Sequence, residues 1–313
     1  MTTRFRGITV REGMLVRGDA GWGEFSPFLE YDARVAVPWL RAALEAADEG
    51  WPAPLRERVP VNVTVPAVGP EQAAATVRAS AGCRTAKVKV AEPGQTLAEE
   101  QARLEAVREA LGPGGAIRVD ANGLWSVDAA VAAIAVLDRA SGGLEYVEQP
   151  VASVEEMALV RRRVGVPIAA DESIRRAEDP YRVRDLDAAD IAVLKVQPLG
   201  GVRACLRIAE DIEMPVVVSS ALETSVGIAA GLALAAALPD LPYACGLATV
   251  ALLTDDVAER PLLPVDGALS VVPLRVDPAA LTRLAAAPGR DRHWRDRLAE
   301  VDALSGLRQD RHP

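Results

Sequence analysis

The chain has 313 residues, half of them apolar, and carries 35 Lys and Arg against 44 Asp and Glu, a formal charge of −9. That length can bury a large core in one big domain or two unequal ones, and the acidic balance argues against the net basic face of a nucleic-acid binder. No apolar secretion signal opens "MTTRFRGITV", and the longest apolar run, 226–238, is too short for a bilayer and reads as a packed helix.

The first 60 residues mix two patterns. "ITVREGMLVRGDAGWGEFSP" predicts strands joined by a Gly/Asp turn at 18–21, and "DARVAVPWLRAALEAA" a helix interrupted near its start by Pro38. Together they predict a small α+β capping domain over 1–59; "GWGEFSPF" at 21–28 is either a plain hairpin or part of a loop, 21–32, that covers the barrel mouth. Eight short apolar runs follow: 61–65, 85–90, 116–120, 144–148, 167–171, 191–195, 215–220 and 243–247. Their starts lie 23 to 31 residues apart, the length of a strand, a loop and a helix. Between them, "EEQARLEAVREAL", "SVEEMALVRRRV" and "VRACLRIAEDI" carry helical spacing. Strands this apolar need cover on both faces. The pattern predicts an α/β fold with a TIM-type (β/α)8 barrel over 60–261, closer to (β/α)7β because no convincing helix follows the eighth run. "GALSVVP" and "DPAALTRLAAA" then return to the first domain, so that about 262–313 completes it. From Gly289 the charged, poorly patterned end reads as loosely held.

Active sites of such barrels lie at the C-terminal ends of the strands. Asp120, Glu148 and Asp171 end the third, fourth and fifth runs, side by side at one mouth. One such acid is often a helix cap or a surface ion pair. Three on adjacent strands repel one another and are costly to keep ionised away from water. A hard divalent cation resolves the conflict; Mg2+ is the ordinary choice for an oxygen-only site with open positions, and Mn2+ is its substitute.

Lys87 and Lys89, two apart on the second run, point to one face, and Lys195 ends the sixth. A lysine is a poor base at its solution pKa of about 10.4. Burial and a neighbouring cation lower it, so Lys87 can make Lys89 competent near neutral pH; the alternative is that these lysines only neutralise the acids. Ser219 and Ser220 place hydroxyls at the mouth, and N–H groups opening the next helix offer an anion site or a plain cap. His293 and His312 are the only histidines, so a Ser-His-Asp triad or a histidine-rich zinc site would need the C-terminal tail. Cys83, Cys205 and Cys245, odd in number and without CxxC, suit reduced thiols in a cytoplasm.

The order KxK, Asp, Glu, Asp, Lys, with "RVDANGLWS", "VEQP", "ADES", "VSSALETSVG" and "GWGEFSP", resembles the enolase superfamily in its muconate-lactonizing-enzyme-like branch, over about residues 5–275. The resemblance implies that Asp120, Glu148 and Asp171 bind Mg2+, that Lys89 is base and then acid, and that Lys195 stabilises an enediolate from the opposite face. It further implies that Lys87 tunes Lys89 and approaches the substrate carboxylate. Ser219, Ser220 and Gly246 would receive a succinyl arm, with Asn122 and Glu172 behind the ligands or near the metal. The activity implied is a hydro-lyase of menaquinone biosynthesis, taking water from 2-succinyl-6-hydroxy-2,4-cyclohexadiene-1-carboxylate by syn elimination. A small carboxylate is then the partner, with no nucleic acid and no membrane. The same residues would serve an N-acylamino acid racemase or dipeptide epimerase, with Lys89 and Lys195 as opposed acid–bases. A cycloisomerase fits less well, and a Schiff-base aldolase at Lys195 leaves three carboxylates unexplained. Gln197 in "LKVQPLGG" departs from the family variants.

Overall fold

The computed structural model describes residues 1–175 and 179–306. β1 (Met14–Arg17) and β2 (Trp22–Phe25) pair as an antiparallel hairpin about the expected turn, and α1 (Ala33–Leu44) lies against them. Residues 8–13 do not join the hairpin. Gly23 lets β2 touch the helix: a Cβ there would stand 1.9 Å from the Ala43 carbonyl oxygen. Asp32 caps α1 by accepting from the Val35 N–H, and Pro38 is carried inside the helix without ending it.

β3 (Arg58–Pro60) leads into one sheet of seven parallel strands in chain order. These are β4 (Val63–Val65), β5 (Thr85–Lys89), β6 (Ala116–Asp120), β7 (Val147–Glu148), β8 (Ile168–Ala170), β9 (Ile191–Leu194) and β10 (Val216–Val218). The crossovers hold α2 (Pro70–Arg78), α3 (Leu97–Leu111), α4 (Val127–Ser141), α5 (Val154–Arg161), α6 (Glu172–Arg175), α7 (Arg182–Asp185), α8 (Val196–Leu199) and α9 (Val202–Asp211). α10 (Ser225–Ala237) follows, buried along nearly its whole length as its apolar run requires. Among the described residues no helix is long and apolar enough to cross a membrane. β11 (Ala268–Ser270) returns to pair with β3, and α11 (Pro278–Arg283) and α12 (Pro288–Ser305) complete the described chain.

The eighth expected run forms no ladder. Single bridges, Val61 to Cys245 and Ser219 to Gly246, hold its place, and a 3-10 turn over 248–252 stands where a helix would follow. The barrel is therefore of the (β/α)7β kind. The fourth run shortens to Val147–Glu148, and Glu145 just before it gives its carboxylate to Arg118. All three cysteines are free and buried.

The expectation of a loosely held end is overturned as far as Ser305. The charged end is helical to Ser305, and α12 packs on α1 through Trp294 and Val301. Trp294 meets Phe25 edge-on at 6.1 Å, and Arg297 donates to the carbonyls of Phe28 and Tyr31. Trp294, Leu298 and Val301 keep a helical stripe that the surrounding charge conceals. The last seven residues, with His312, lie outside the described residues.

Candidate active site

The charged residues singled out from sequence meet at the C-terminal mouth of the sheet. β5 carries Lys87 and Lys89; Asp120 ends β6 in register with Lys89, and Glu148 ends β7 in register with Asp120. Asp171 follows β8 and Lys195 follows β9, each by one residue. All are buried except Lys89, which is partly so. Lys87 donates to Glu148 at 2.8 Å and lies 3.1 Å from Asp120. Lys89 donates to Asp120 at 2.5 Å and to Asn122 Oδ1 at 2.6 Å, while Lys195 donates to Asp171 at 2.6 Å.

Tight turns just past the strands set this geometry. Asn122 and Gly123 have φ of 48° and 74°, a left-handed bend that Asn tolerates and Gly prefers. The bend lets the Asn122 N–H reach Asp120 at 3.0 Å and its amide reach Glu172 at 3.2 Å. Gln149 also bends, at φ 39°. Its wholly buried side chain accepts from the N–H groups of Asp171 and Ser173 and donates to Val151 and Ser173. It shapes the turn that carries Asp171, a role hidden inside the "VEQP" motif.

Burial and crowding drive the protonation equilibria apart. Burial, then Asp120 and Asp171 nearby, push Glu148 up to about 7 in spite of Lys87. Burial would raise Asp120 too, but Lys89 and Lys87 overcome it and hold that carboxyl well below the usual range; Arg175 and Lys195 do the same for Asp171. Burial works to lower Lys87, yet Glu148 and Asp120 hold it above its ordinary value. Lys89 moves the other way, pushed down by burial and by the Lys87 cation against the pull of Asp120. One lysine is thereby kept charged and its neighbour is made a better base.

A cavity of about 40 Å³ remains between Lys87, Lys89, Lys195 and Asn122, lined also by Ser219, Ser220 and Gly246. A Cβ on Gly246 would come 2.5 Å from Ser219 Oγ. Phe28 supplies the cover that a loop over 21–32 would give, and Leu222 of the "VSSALETSVG" motif closes the cavity as well, together with Phe5 and Arg6, which carried no sequence signal. Neither serine caps the following helix; Thr224 does, accepting from the Val226 N–H. The anion site expected at that helix start is already taken. Glu24 of β2 accepts from the N–H groups of Thr224 and Gly227, and Asp256 from that of Ser225. A far larger cavity, about 760 Å³, lies along the flank between α2 and 248–264 and contains none of the three lysines.

Asp120, Glu148 and Asp171 form an oxygen-only donor set. Each now turns to an ammonium or guanidinium, so among the described residues no three such donors are drawn around one point. The donor chemistry still fits a hard dication. Glu148 is raised by burial first and then by two neighbouring carboxylates, a conflict that a cation relieves.

Residues 71–276 match the family model for an Enolase C-terminal domain-like region, and residues 1–47 that for an Enolase N-terminal domain-like region. An o-succinylbenzoate synthase from Thermobifida fusca is 65% identical over 97% of this chain and 94% of the relative. Another from Mycolicibacterium smegmatis is 59% identical over 97% and 93%. The chain therefore belongs to the enolase superfamily, in the family of these o-succinylbenzoate synthases. In fold it is similar to the muconate lactonizing enzyme of Pseudomonas putida, with a TM-score of 0.74, 23% identity, and coverage of 87% of this chain and 93% of that one. The L-Ala-D/L-Glu epimerase of Bacillus subtilis is similar at a TM-score of 0.70 and 24% identity, covering 84% and 88%.

Proposed function

We propose that this protein is an o-succinylbenzoate synthase, a hydro-lyase that converts 2-succinyl-6-hydroxy-2,4-cyclohexadiene-1-carboxylate to the aromatic product in menaquinone biosynthesis. The observation that carries the proton-abstraction chemistry is the lysine pair. Lys87 is held charged beside a Lys89 whose amine is pushed down, on the strand next to Asp120. Near-full-length identity to synthases supports the choice of reaction.

Asp120, Glu148 and Asp171 would hold Mg2+, or Mn2+ in its place. When bound, the ion supplies Lewis-acid neutralisation of the charge that develops on the substrate carboxylate. The remaining work falls to the chain. Neutral Lys89 removes the proton α to that carboxylate, oriented by Asp120 and by Asn122 Oδ1. The electron pair left behind enters an enediolate, and Lys195 and Lys87 offset its negative charge electrostatically. As the pair returns to the ring, the β C–O bond breaks, and Lys89 gives its proton to the departing hydroxyl on the same face. Water leaves and the ring becomes aromatic, with Lys89 restored to its starting form. Ser219, Ser220 and the Gly246 backbone receive the succinyl arm, and Glu172 steadies Asn122. Residues 1–59 with about 262–313 then serve as the cover, and 60–261 as the chemical barrel, in a cytoplasmic enzyme.

The test is turnover of the cyclohexadiene substrate with Mg2+, followed by its ultraviolet loss. Activity abolished by EDTA and by Lys89→Ala is expected. No turnover, with exchange of the α-proton of N-succinylamino acids in D2O, would replace the synthase by the racemase.

A further inference from the structure

We propose that Arg175 and Tyr31 are positioning residues that link the cover over the pocket to the carboxylate of Asp171, so that a divalent cation at the mouth tightens the N-terminal segment. The inference rests on the reading of Asp171 as a metal ligand. Arg175 ends α6 with only 2% of its side chain exposed, and its guanidinium is divided three ways. Nε donates to Asp171 at 2.8 Å, one terminal nitrogen to Glu172 at 2.6 Å, and the other to the Tyr31 hydroxyl at 3.0 Å. That same hydroxyl accepts from Arg6 at 3.0 Å. Arg6 lines the pocket, lies over the Phe28 ring at 3.9 Å and reaches Glu30 at 3.3 Å.

The Tyr31 oxygen thus stands between a guanidinium of the barrel and one of the cover. Its ring is fixed by edge contacts to Phe28 and Trp39, with centroids 5.7 and 6.1 Å away, so the hydroxyl cannot follow a moving partner far. A guanidinium is a rigid planar fork. If Arg175 turns to follow a displaced Asp171, it carries its other N–H away from Tyr31. The orientation of Asp171 and the contact holding Arg6 are therefore set together. Asp171 gives Oδ1 to Arg175 and Oδ2 to Lys195, so an ion that takes Oδ2 from Lys195 leaves the Arg175 contact in place and fixes it; that ion favours the closed cover, and by reciprocity the closed cover favours the ion.

Trypsin acting on the full chain reads this linkage through cleavage after Arg4, an exposed residue ahead of the contact. Mn2+ affinity is measured alongside by electron paramagnetic resonance. In the wild type, Mn2+ slows that cleavage about fivefold or more, the scale of ordinary coupling. Tyr31→Phe keeps the ring and removes the hydroxyl; it still binds Mn2+, but protection falls below about twofold. Arg6→Gln, a change on the exposed cover, behaves likewise. Arg175→Lys, which keeps a cation beside Asp171 without the fork, also loses protection. Simple loss of stability would speed cleavage equally with and without Mn2+, leaving the ratio intact. Equal protection in Tyr31→Phe and wild type overturns the linkage and leaves the ion site standing. A wild type that binds no Mn2+ overturns the metal reading and the linkage with it, and the affinity measurement separates the two failures.

Discussion

On β6, two charged side chains two residues apart face the barrel interior and meet opposite fates. Arg118, at the floor, is wholly buried and fully partnered. It holds Glu145 and the Tyr146 hydroxyl at 2.8 Å and the Ala244 carbonyl at 2.9 Å, and lies over the Tyr146 ring at 4.5 Å. Glu145 keeps 25% of its side chain exposed, so the pair is not wholly desolvated. Asp120, at the mouth, holds Lys89 and shares Lys87 with a second acid, Glu148, which is raised to about 7. The floor is neutralised and at rest. The mouth holds three acids and three amines in an arrangement whose protonation is still contested, and contested protonation is what proton transfer requires.

Breaking the mouth should cost activity and spare the fold. Lys89→Ala is expected to lower kcat about 10²–10⁴-fold, the contribution of a positioned base, with the thermal midpoint nearly unchanged. Calorimetry and the ultraviolet assay check both halves. Breaking the floor should do the reverse. Arg118→Met is expected to lower unfolding free energy by about 3 kcal/mol, because Glu145 and Tyr146 lose their donor. Its folded fraction should keep near-normal kcat. Lost turnover with intact urea unfolding would exchange the two roles.

The same contrast explains what could be read from the sequence. Asp120, Glu148, Asp171 and Lys195 were visible because each sits where an apolar run stops, and a parallel barrel brings such endings together whatever the loops do. The seam between hairpin and barrel has no such regularity. Glu24 meets Thr224 across 200 residues, and Gln197 accepts from the Ser26 N–H across 171. Those partners share no period and no motif. Gln197, noticed only as a departure from the family, is spent on this seam. Arg6 and Arg175 look in sequence like ordinary surface charges, since nothing local foretells that one tyrosine hydroxyl joins them. The stripe on α12 was present but thin.

The seam offers a milder way to sharpen the comparison. Glu223 is buried, and burial first, then Glu24, pushes its carboxyl up to about 7. A folded-state value above the unfolded one means that its contribution is full below about pH 4.5 and lost as pH rises through 7. Glu223→Gln should remove that loss while keeping an acceptor for the Ala221 N–H. Urea unfolding should then show a gain of up to about 3 kcal/mol at pH 8 and little at pH 4. An equal effect at both values would show that the site lost shape rather than charge.

The smallest expected effect is also the control for the largest. Thr96 caps α3 through a reciprocal box with Glu99, away from both floor and mouth. Thr96→Ala should cost about 1 kcal/mol by fraying the first turn. Two turns further on, Arg103 donates to the Lys89 carbonyl at 2.9 Å and to the Val68 carbonyl at 2.6 Å, and its burial keeps it in place when the end frays. Lys89 should therefore keep its position, and kcat and KM should match the wild type. If kcat falls in Thr96→Ala, catalysis follows global stability through α3, and loss of activity in any mouth variant must first be corrected for it. If kcat holds, the Lys89 result measures the amine itself.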